Sequence, residues 1–365
     1  MKILLISNTY WNLFNFRKKL INNLNKSNSI FLLANKDKFI SGFAKNISKK
    51  TINLKNNNIS FFKDIFFFIK YFELLKKIKP DVILSFTIKP NLTSIILSRI
   101  LNIPAVITIS GLGTLFLRYK LFFKIYLIIF KFFAHKKLII FFHNNDDLNI
   151  YKKNQIIKKV FLSKVISGSG VDFKRFKKIS INFKNNNFLF VGRLIKDKGV
   201  NELIEAIENI HRKNRKINFN LVGNFDVNNP RSIDRNKILK MQKKNLLKYK
   251  QHSKNIMKEY EKSYCLILPS YREGLSKALI EAMYCGLPII TTNVPGCQDV
   301  VRKSKCGYIA DSKNSNSLTN QIQKFINLSV SKKKVMSTNS HNYAKIKFND
   351  ENVINEYLNA IKKIT

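Results

Sequence analysis

Glu273 and Glu281 stand eight residues apart in the stretch from Pro269 to Gly296, on either side of a glycine turn and a helix start. Glu273 lies beside Gly274, and the backbone amides of Gly274, Leu275, Ser276 and Lys277 open the helix. Such an end favours an anion. Glu281 falls inside the helix, on one face with Lys277 and Tyr284 by i, i+3 and i+4 spacing. Its carboxylate could accept two hydrogen bonds from a vicinal diol. The plain alternative is a helix-surface pair with Lys277. A second group lies upstream: Gly192, Arg193 and Leu194, then Lys198 and Gly199. An arginine fork grips phosphate oxygens bidentately and a lysine adds a point charge. Glycine lets backbone approach closely. A charged loop that contacts nothing is the alternative.

These residues need elements to hold them. The run from Tyr264 to Leu268 reads as a strand, and Lys277–Cys285 as a helix that stops at Gly286 and Pro288. The next strand starts at Pro288. Upstream, Phe188–Val191 reads as a strand ending at Gly192, and a helix follows over Glu202–Arg212. Asn218–Val222 adds a strand and Ser317–Leu328 a helix. Asn224–Leu246 is polar and lysine-rich and reads as a mobile loop leading into a solvated helix. The first half of the chain alternates in the same way, with strands at Lys2–Ser7, Ile30–Leu33, Val82–Ser85, Ala105–Ile109 and Leu138–Phe142. Helices are expected over Phe61–Lys79 and Lys120–His135. Strand–helix alternation implies parallel sheets covered on both faces. Val165–Asp172, with two glycines and two serines, reads as a linker where the alternation restarts. The fold class expected is α/β, with two doubly wound domains: 1–165 and 166–349. The final amphipathic helix, about 350–365, could pack back on the first.

With 365 residues the chain can bury two separate cores. Its net charge of +44 would attract nucleic acid, an anionic membrane surface or phosphorylated substrates. The lysines are spread along the whole chain, and no recognition helix, zinc finger or RRM-type aromatic signature appears, so nucleic-acid binding is not expected. The four cysteines show no CxxC spacing and lie in or beside apolar runs, as buried reduced thiols of a cytosolic protein would. No Walker motif and no GxGxxG opening a helix is present. The apolar run after Met1 is too short for a signal peptide. No segment reaches the roughly 18 uncharged apolar residues of a membrane span.

Taken together, Gly192-Arg193-Leu194, Lys198-Gly199, the Glu273-x7-Glu281 signature and Val294-Pro295-Gly296 resemble a retaining GT-B glycosyltransferase of family 4. The resemblance covers nearly the whole chain. It implies two Rossmann-like domains facing each other across a cleft, closing about Val165–Asp172. It also implies roles. Arg193 and Lys198 would grip the donor diphosphate and neutralise the leaving group. Glu273 would contact the donor sugar near the reacting centre, and Glu281 would hold the ribose hydroxyls. The backbone from Gly274 through Leu275 and Ser276 to Lys277, with Gly192, would complete the donor site. No metal and no other cofactor is implied, because cationic side chains replace the divalent ion. Asp146-Asp147 lacks the spacing of a DxD metal signature.

Four N-terminal segments refine the resemblance. Trp11–Arg17, Thr87–Asn91, Ser110–Gly113 and Phe142–Asp147 each follow a strand and read as loops at the carboxyl edge of the sheet, where doubly wound folds bind ligands. They are similar to the subgroup that transfers hexose or N-acetylhexosamine, from a UDP-linked donor, to polyprenyl-diphosphate-linked saccharides in capsule, lipopolysaccharide or glycoprotein glycan assembly. The acceptor-side candidates are Asn15, Arg17, Lys89, Asn91, Ser110, Gly111, Gly113 and Asn144. Many relatives carry histidine where Ser110 stands, and His143 lies in another segment. Lys120–Ala134 is nearly all apolar, with Lys120, Lys124 and Lys131 on one helical face. It reads as a buried helix or as an interfacial one. A lipid-linked acceptor and a large positive charge would suit a cytoplasmic protein held peripherally on an anionic inner leaflet. Rival readings are a basic nucleic-acid-binding protein and a sugar-binding relative that has lost catalysis.

Overall fold

A computed structural model describes residues 1–53, 61–112, 119–226, 229–253 and 255–365. The chain divides into two compact units, Met1–Ser169 with Glu351–Thr365, and Gly170–Asp350.

The first unit is built on a seven-stranded parallel sheet: β1 (Lys2–Thr9), β2 (Ser29–Asn35), β3 (Ser48–Thr51), β4 (Val82–Phe86), β5 (Ala105–Ile109), β6 (Leu138–Phe142) and β7 (Leu162–Val165). Their order is β3-β2-β1-β4-β5-β6-β7, so the chain changes direction across the sheet between β1 and β4. The central strands β4, β5 and β6 are buried along their whole length. They are near-continuous runs of Val, Ile, Leu and Phe, as strands covered on both faces must be. On one face the helices Phe61–Ile78, Ile88–Leu101 and Lys120–Phe133 close a core around Tyr71, Ile95 and Phe130. On the other, helix Tyr10–Leu24 and the final helix Asp350–Ile364 cover Leu5, Leu84 and Phe141. The final helix is seated by Tyr357, whose hydroxyl lies 2.8 Å from Thr108 Oγ1 and whose ring meets Phe86 and Phe141.

The second unit repeats the plan with six parallel strands: β8 (Asn187–Val191), β9 (Asn218–Val222), β10 (Lys248–Lys250), β11 (Cys265–Leu268), β12 (Ile289–Thr292) and β13 (Gly307–Ala310). The order β10-β9-β8-β11-β12-β13 puts its switch point between β8 and β11. All four cysteines are free and buried in this unit.

Three N-terminal segments differ from their reading as loops. Trp11–Arg17 lies inside helix Tyr10–Leu24, because the Thr9 hydroxyl caps it by accepting from the Asn12 amide at 3.1 Å. Its asparagines face outward while Tyr10, Leu13, Leu20 and Ile21 are buried. Thr87–Asn91 enters helix Ile88–Leu101, with Pro90 in the first turn where no amide is missed. Asn144 caps helix Asn145–Lys153 by accepting from the Asp147 amide at 2.8 Å. The lysine-rich stretch after Asn224 contains helix Arg235–Lys243, anchored by buried Ile238 and Met241.

Candidate active site

β8 and β11 deliver the two chemical groups of the second unit to one place, the carboxyl ends of neighbouring strands at the switch point. That is where open α/β sheets bind ligands. After β8 the chain turns through Gly192 and Arg193 to a single 3-10 turn, Lys196–Lys198, closed by Gly199 at φ 67°. A Cβ at Gly199 would lie 1.9 Å from the Pro269 carbonyl, so only glycine lets this loop pack onto the end of β11. The Tyr271 amide donates to the Asp197 carbonyl at 2.9 Å, and the Tyr271 hydroxyl to Glu202 at 2.7 Å. Asp197 also pairs with Arg231 at 2.5 Å. The loop carrying Lys198 is thus fastened from three sides.

The Lys198 ammonium forms a close ion pair with the Glu273 carboxylate, both groups largely buried. Ser270 donates a second hydrogen bond to the same oxygen, at 2.7 Å. Arg193 is more exposed and meets Asp226 at 3.0 Å. Glu273 is held from behind as well: its amide donates to the Pro295 carbonyl at 3.2 Å. A Cβ at Gly296 (φ 74°) would stand 2.3 Å from the Gly274 oxygen. The Val294-Pro295-Gly296 turn therefore props the Glu273–Gly274 loop. Buried Cys297 lies close enough to Glu273 for that carboxylate, after burial itself, to push its thiol up to about 12. Cys297 is an inert neighbour of the pair.

Leu275 packs against the core and Ser276 holds the N-cap position of helix Lys277–Cys285 without its hydroxyl capping the helix. Glu281 departs from the helix-surface alternative. It is buried, 3.9 Å from Lys277 Nζ, and accepts a hydrogen bond from the Tyr260 hydroxyl at 3.3 Å. Burial raises its pKa, and Lys277, Arg175 and the Tyr260 bond pull the other way. Burying a carboxylate costs free energy unless it is partnered, and here Lys277 and the Tyr260 hydroxyl are the partners.

Ser270, Asp226, Tyr260 and Arg175 were not legible as members of the site. Only Ser270 carried a local signal, three residues before Glu273; the others arrive from distant parts of the chain.

In the first unit the candidates scatter. Asn15 Nδ2 donates to the Trp11 carbonyl at 2.9 Å. Lys89 pairs with Asp64 at 2.8 Å. Asn91 is buried and donates to the Thr108 carbonyl at 2.9 Å. Asn144 caps its helix and donates to Asp147 Oδ2 at 3.0 Å. Arg17 is buried, its guanidinium 4.5 Å above the Phe86 ring. Ser110 is exposed at the end of β5, before Gly111 at φ 128°. Gly113 lies outside the described residues. Among the described residues no three His, Cys, Asp or Glu side chains converge.

Two family models match the chain, one for each half. Residues 171–343 match glycosyl transferases group 1, and residues 2–144 match glycosyl transferase 4-like proteins. The chain belongs to these glycosyltransferases. It is 28% identical to the capsular polysaccharide biosynthesis glycosyltransferase CapM of Staphylococcus aureus, over 74% of this chain and 73% of that one. It is 29% identical to an Escherichia coli UDP-Gal:alpha-D-GlcNAc-diphosphoundecaprenol alpha-1,3-galactosyltransferase, over 78% and 75%. A Campylobacter jejuni N,N'-diacetylbacillosaminyl-diphospho-undecaprenol alpha-1,3-N-acetylgalactosaminyltransferase is 24% identical over 88% of both. Among solved structures, sucrose-phosphate synthase of Thermosynechococcus elongatus superposes with a TM-score of 0.81 at 18% identity, over 100% of this chain and 99% of that one. HepE of Anabaena, in complex with UDP and glucose, gives 0.78 at 16%, over the whole of both chains. These likenesses establish the GT-B fold of the glycosyltransferase.

Proposed function

We propose that this glycosyltransferase moves a hexose or N-acetylhexosamine from a UDP-linked donor to a polyprenyl-diphosphate-linked saccharide, with retention at the anomeric carbon and without a metal ion. The observation that carries the reading is the Lys198–Glu273 pair beside Arg193 at the β8/β11 switch point. Two cations and a carboxylate there match what cleavage of a sugar–diphosphate bond needs. Arg193 and Lys198 hold the diphosphate and offset the charge that builds on it as the bond breaks, the electrostatic role that dominates many such reactions. Engaging the donor loosens the Lys198–Glu273 pair and frees the Glu273 carboxylate for the sugar hydroxyls. Glu281 holds the ribose diol. The departing diphosphate takes the proton from the attacking acceptor hydroxyl, so no side-chain base is required. The activities for which the E. coli and C. jejuni relatives are named, both on diphospho-undecaprenol-linked sugars, support the acceptor class. The name of the S. aureus relative, a capsular polysaccharide biosynthesis glycosyltransferase, supports a role in surface-glycan assembly.

A lipid-linked acceptor calls for a membrane surface, and the first unit has a face for one. Leu121, Ile125, Ile128 and Phe132 recur at helical spacing along Lys120–Phe133 and are all exposed, with Phe122 beside them. Ile65, Phe66 and Ile69 are exposed on helix Phe61–Ile78. Both helices flank Ile88–Leu101 on the same side of the sheet, joined to it through Tyr71–Ser94 and Asp64–Lys89 and through helix packing. Lys120 and Lys124 are exposed beside the stripe, and Lys70 lies over the Phe66 ring. An apolar face edged with lysines suits peripheral docking on an anionic bilayer. No helix among the described residues is long and apolar enough to cross a membrane.

The test is a donor screen with polyprenyl-diphosphate sugars as acceptors and NMR of the product anomer. An α-linked product from an α-linked UDP donor, formed in chelator, is expected. Inverted product, or a requirement for divalent cation, would overturn the mechanism; transfer only to acceptors lacking the diphosphate would overturn the substrate class.

A further inference from the structure

Arg17 has a setting that neither the fold nor the donor site explains. It is 4% exposed, and its Nε is buried with no hydrogen-bond partner. Among the described residues no carboxylate pairs with it. Its neighbours are rings, Phe86 at 4.5 Å and Tyr357 at 5.8 Å from the guanidinium carbon. Tyr357 supplies no countercharge, because burial pushes its phenol up and keeps it neutral. An unpaired buried cation is costly, and cation–π contact offsets only part of that cost.

A second basic group shares the place. His143 is the residue immediately after β6 and is buried, its Nε2 without a partner among the described residues. It follows by two residues Phe141, which lies on the side that helix Tyr10–Leu24 and Tyr357 cover. Burial, and then the Arg17 charge, hold its imidazole neutral. Phe86 is the last residue of β4, so both groups lie at the carboxyl edge of the sheet, where this fold takes ligands. Beside them Thr87 is forced to φ 78°, a strained conformation for a β-branched residue, with its hydroxyl accepting from the Asn8 amide at 3.2 Å.

We propose that Arg17 and His143 form a subsite for a phosphoryl group at the carboxyl edge of the seven-stranded sheet. The guanidinium supplies the charge and the imidazole a hydrogen bond, the combination that phosphate oxygens select. The assignment of that phosphoryl group to the diphosphate of the acceptor rests on the function proposed above; a free phosphate would present the same chemistry.

The experiment uses the full chain carrying Arg193→Ala and Lys198→Ala, so that the donor site is silent. The protein is labelled on its histidine rings, and the His143 resonances are identified with His143→Gln. Titration with inorganic phosphate and with pyrophosphate should shift those resonances saturably, and sulfate-free buffer of equal ionic strength should not. Adding Arg17→Met, which keeps the shape of the side chain, should weaken binding at least tenfold, and Arg17→Lys should restore part of it. Melting curves establish that each variant is folded. An unmoved His143 signal in the parent, or equal affinity in folded Arg17→Met, overturns the subsite. In the otherwise unaltered enzyme, Arg17→Met should raise KM for a polyprenyl-diphosphate sugar about tenfold and leave the donor KM alone. Pyrophosphate binding at His143 without use of any diphosphate-linked acceptor would keep the subsite and remove the acceptor assignment. Tighter binding of phosphate than of pyrophosphate would point to a free-phosphate ligand.

Discussion

Lys198 and Arg193 carry the same charge but sit differently, and their replacements should separate. Arg193 is 58% exposed and paired with Asp226 at the surface. Its loss should cost well under about 1 kcal/mol of stability, as exposed pairs do, while transfer falls about 10²–10³-fold, as for other groups that stabilise transition-state charge. Lys198→Ala should show a similar fall with a lower Tm, because a largely buried Glu273 loses its close cationic partner. Full transfer by both variants would remove them from the diphosphate. Glu281 has the opposite balance. Its pKa is raised by burial, so the folded state favours the protonated form. That stability is present below the ordinary glutamate range, near pH 4, and is lost as pH rises through the folded pKa. Glu281→Gln keeps an acceptor for Tyr260. It should raise Tm at neutral pH, give no gain near pH 4, and weaken UDP-sugar binding about tenfold, since a neutral amide holds a diol less well. A calorimetric titration with unchanged donor affinity would free Glu281 from the ribose.

At the scale of elements, helix Lys120–Phe133 makes the sharpest case. Ile128 is 66% exposed and Phe132 73%. Ile128→Glu with Phe132→Glu should leave the unfolding free energy within about 1 kcal/mol of the parent, since surface changes rarely do more, yet abolish pelleting with anionic vesicles. Retained pelleting would move the docking face elsewhere. The sequence pattern around these positions left buried and interfacial readings both open. In the structure Phe123, Tyr126, Leu127 and Phe130 are buried and Phe133 packs partly against the same core, while Leu121, Phe122, Ile125, Ile128 and Phe132 are exposed. Strands buried on both faces were readable because they are unbroken apolar runs. Edge strands β3 and β10, Ser-Lys-Lys-Thr and Lys-Tyr-Lys, were not, because an edge needs little apolar surface. Helix Val330–Lys347 was also hidden. Its buried positions are Lys333, Ser337, Ser340 and Ala344, so it shows no long apolar stripe; Met336, Tyr343 and Ala344 pack on the core, and Lys333 and Ser340 donate to the carbonyls of Ile326 and Leu287.

For the whole molecule, the ends of the chain belong to one unit. Val353, Ile354, Tyr357, Ala360 and Ile361 complete the core beneath Leu84 and Phe141. A chain ending at Asp350 should therefore destabilise the first unit, with loss of its cooperative melting transition, while leaving UDP binding by the second. An unaltered melt would mean that the final helix only covers the sheet. The net charge of +44 acts at the same scale. Vesicle binding should weaken steeply between low and physiological salt, because the attraction is screened over about 8–10 Å.

The residue types of the candidate site were written in the sequence because they are local. Arg193 and Lys198 share one loop, Glu273 and Glu281 one loop and helix, and glycine and proline mark the turns between. What only the tertiary structure decided is which partners these groups meet. Glu273 is joined to Lys198 because β8 and β11 are neighbours. Glu281 is buried with the Tyr260 hydroxyl donating to it, and Arg175, from a distant part of the chain, is near enough for its charge to pull the carboxyl pKa down. Among the described residues Arg17 has no counterion, and Phe86 and Tyr357, far apart in the chain, lie against its guanidinium. Burial and pairing are sums over contacts distant in sequence, so they exist only once both sheets are assembled.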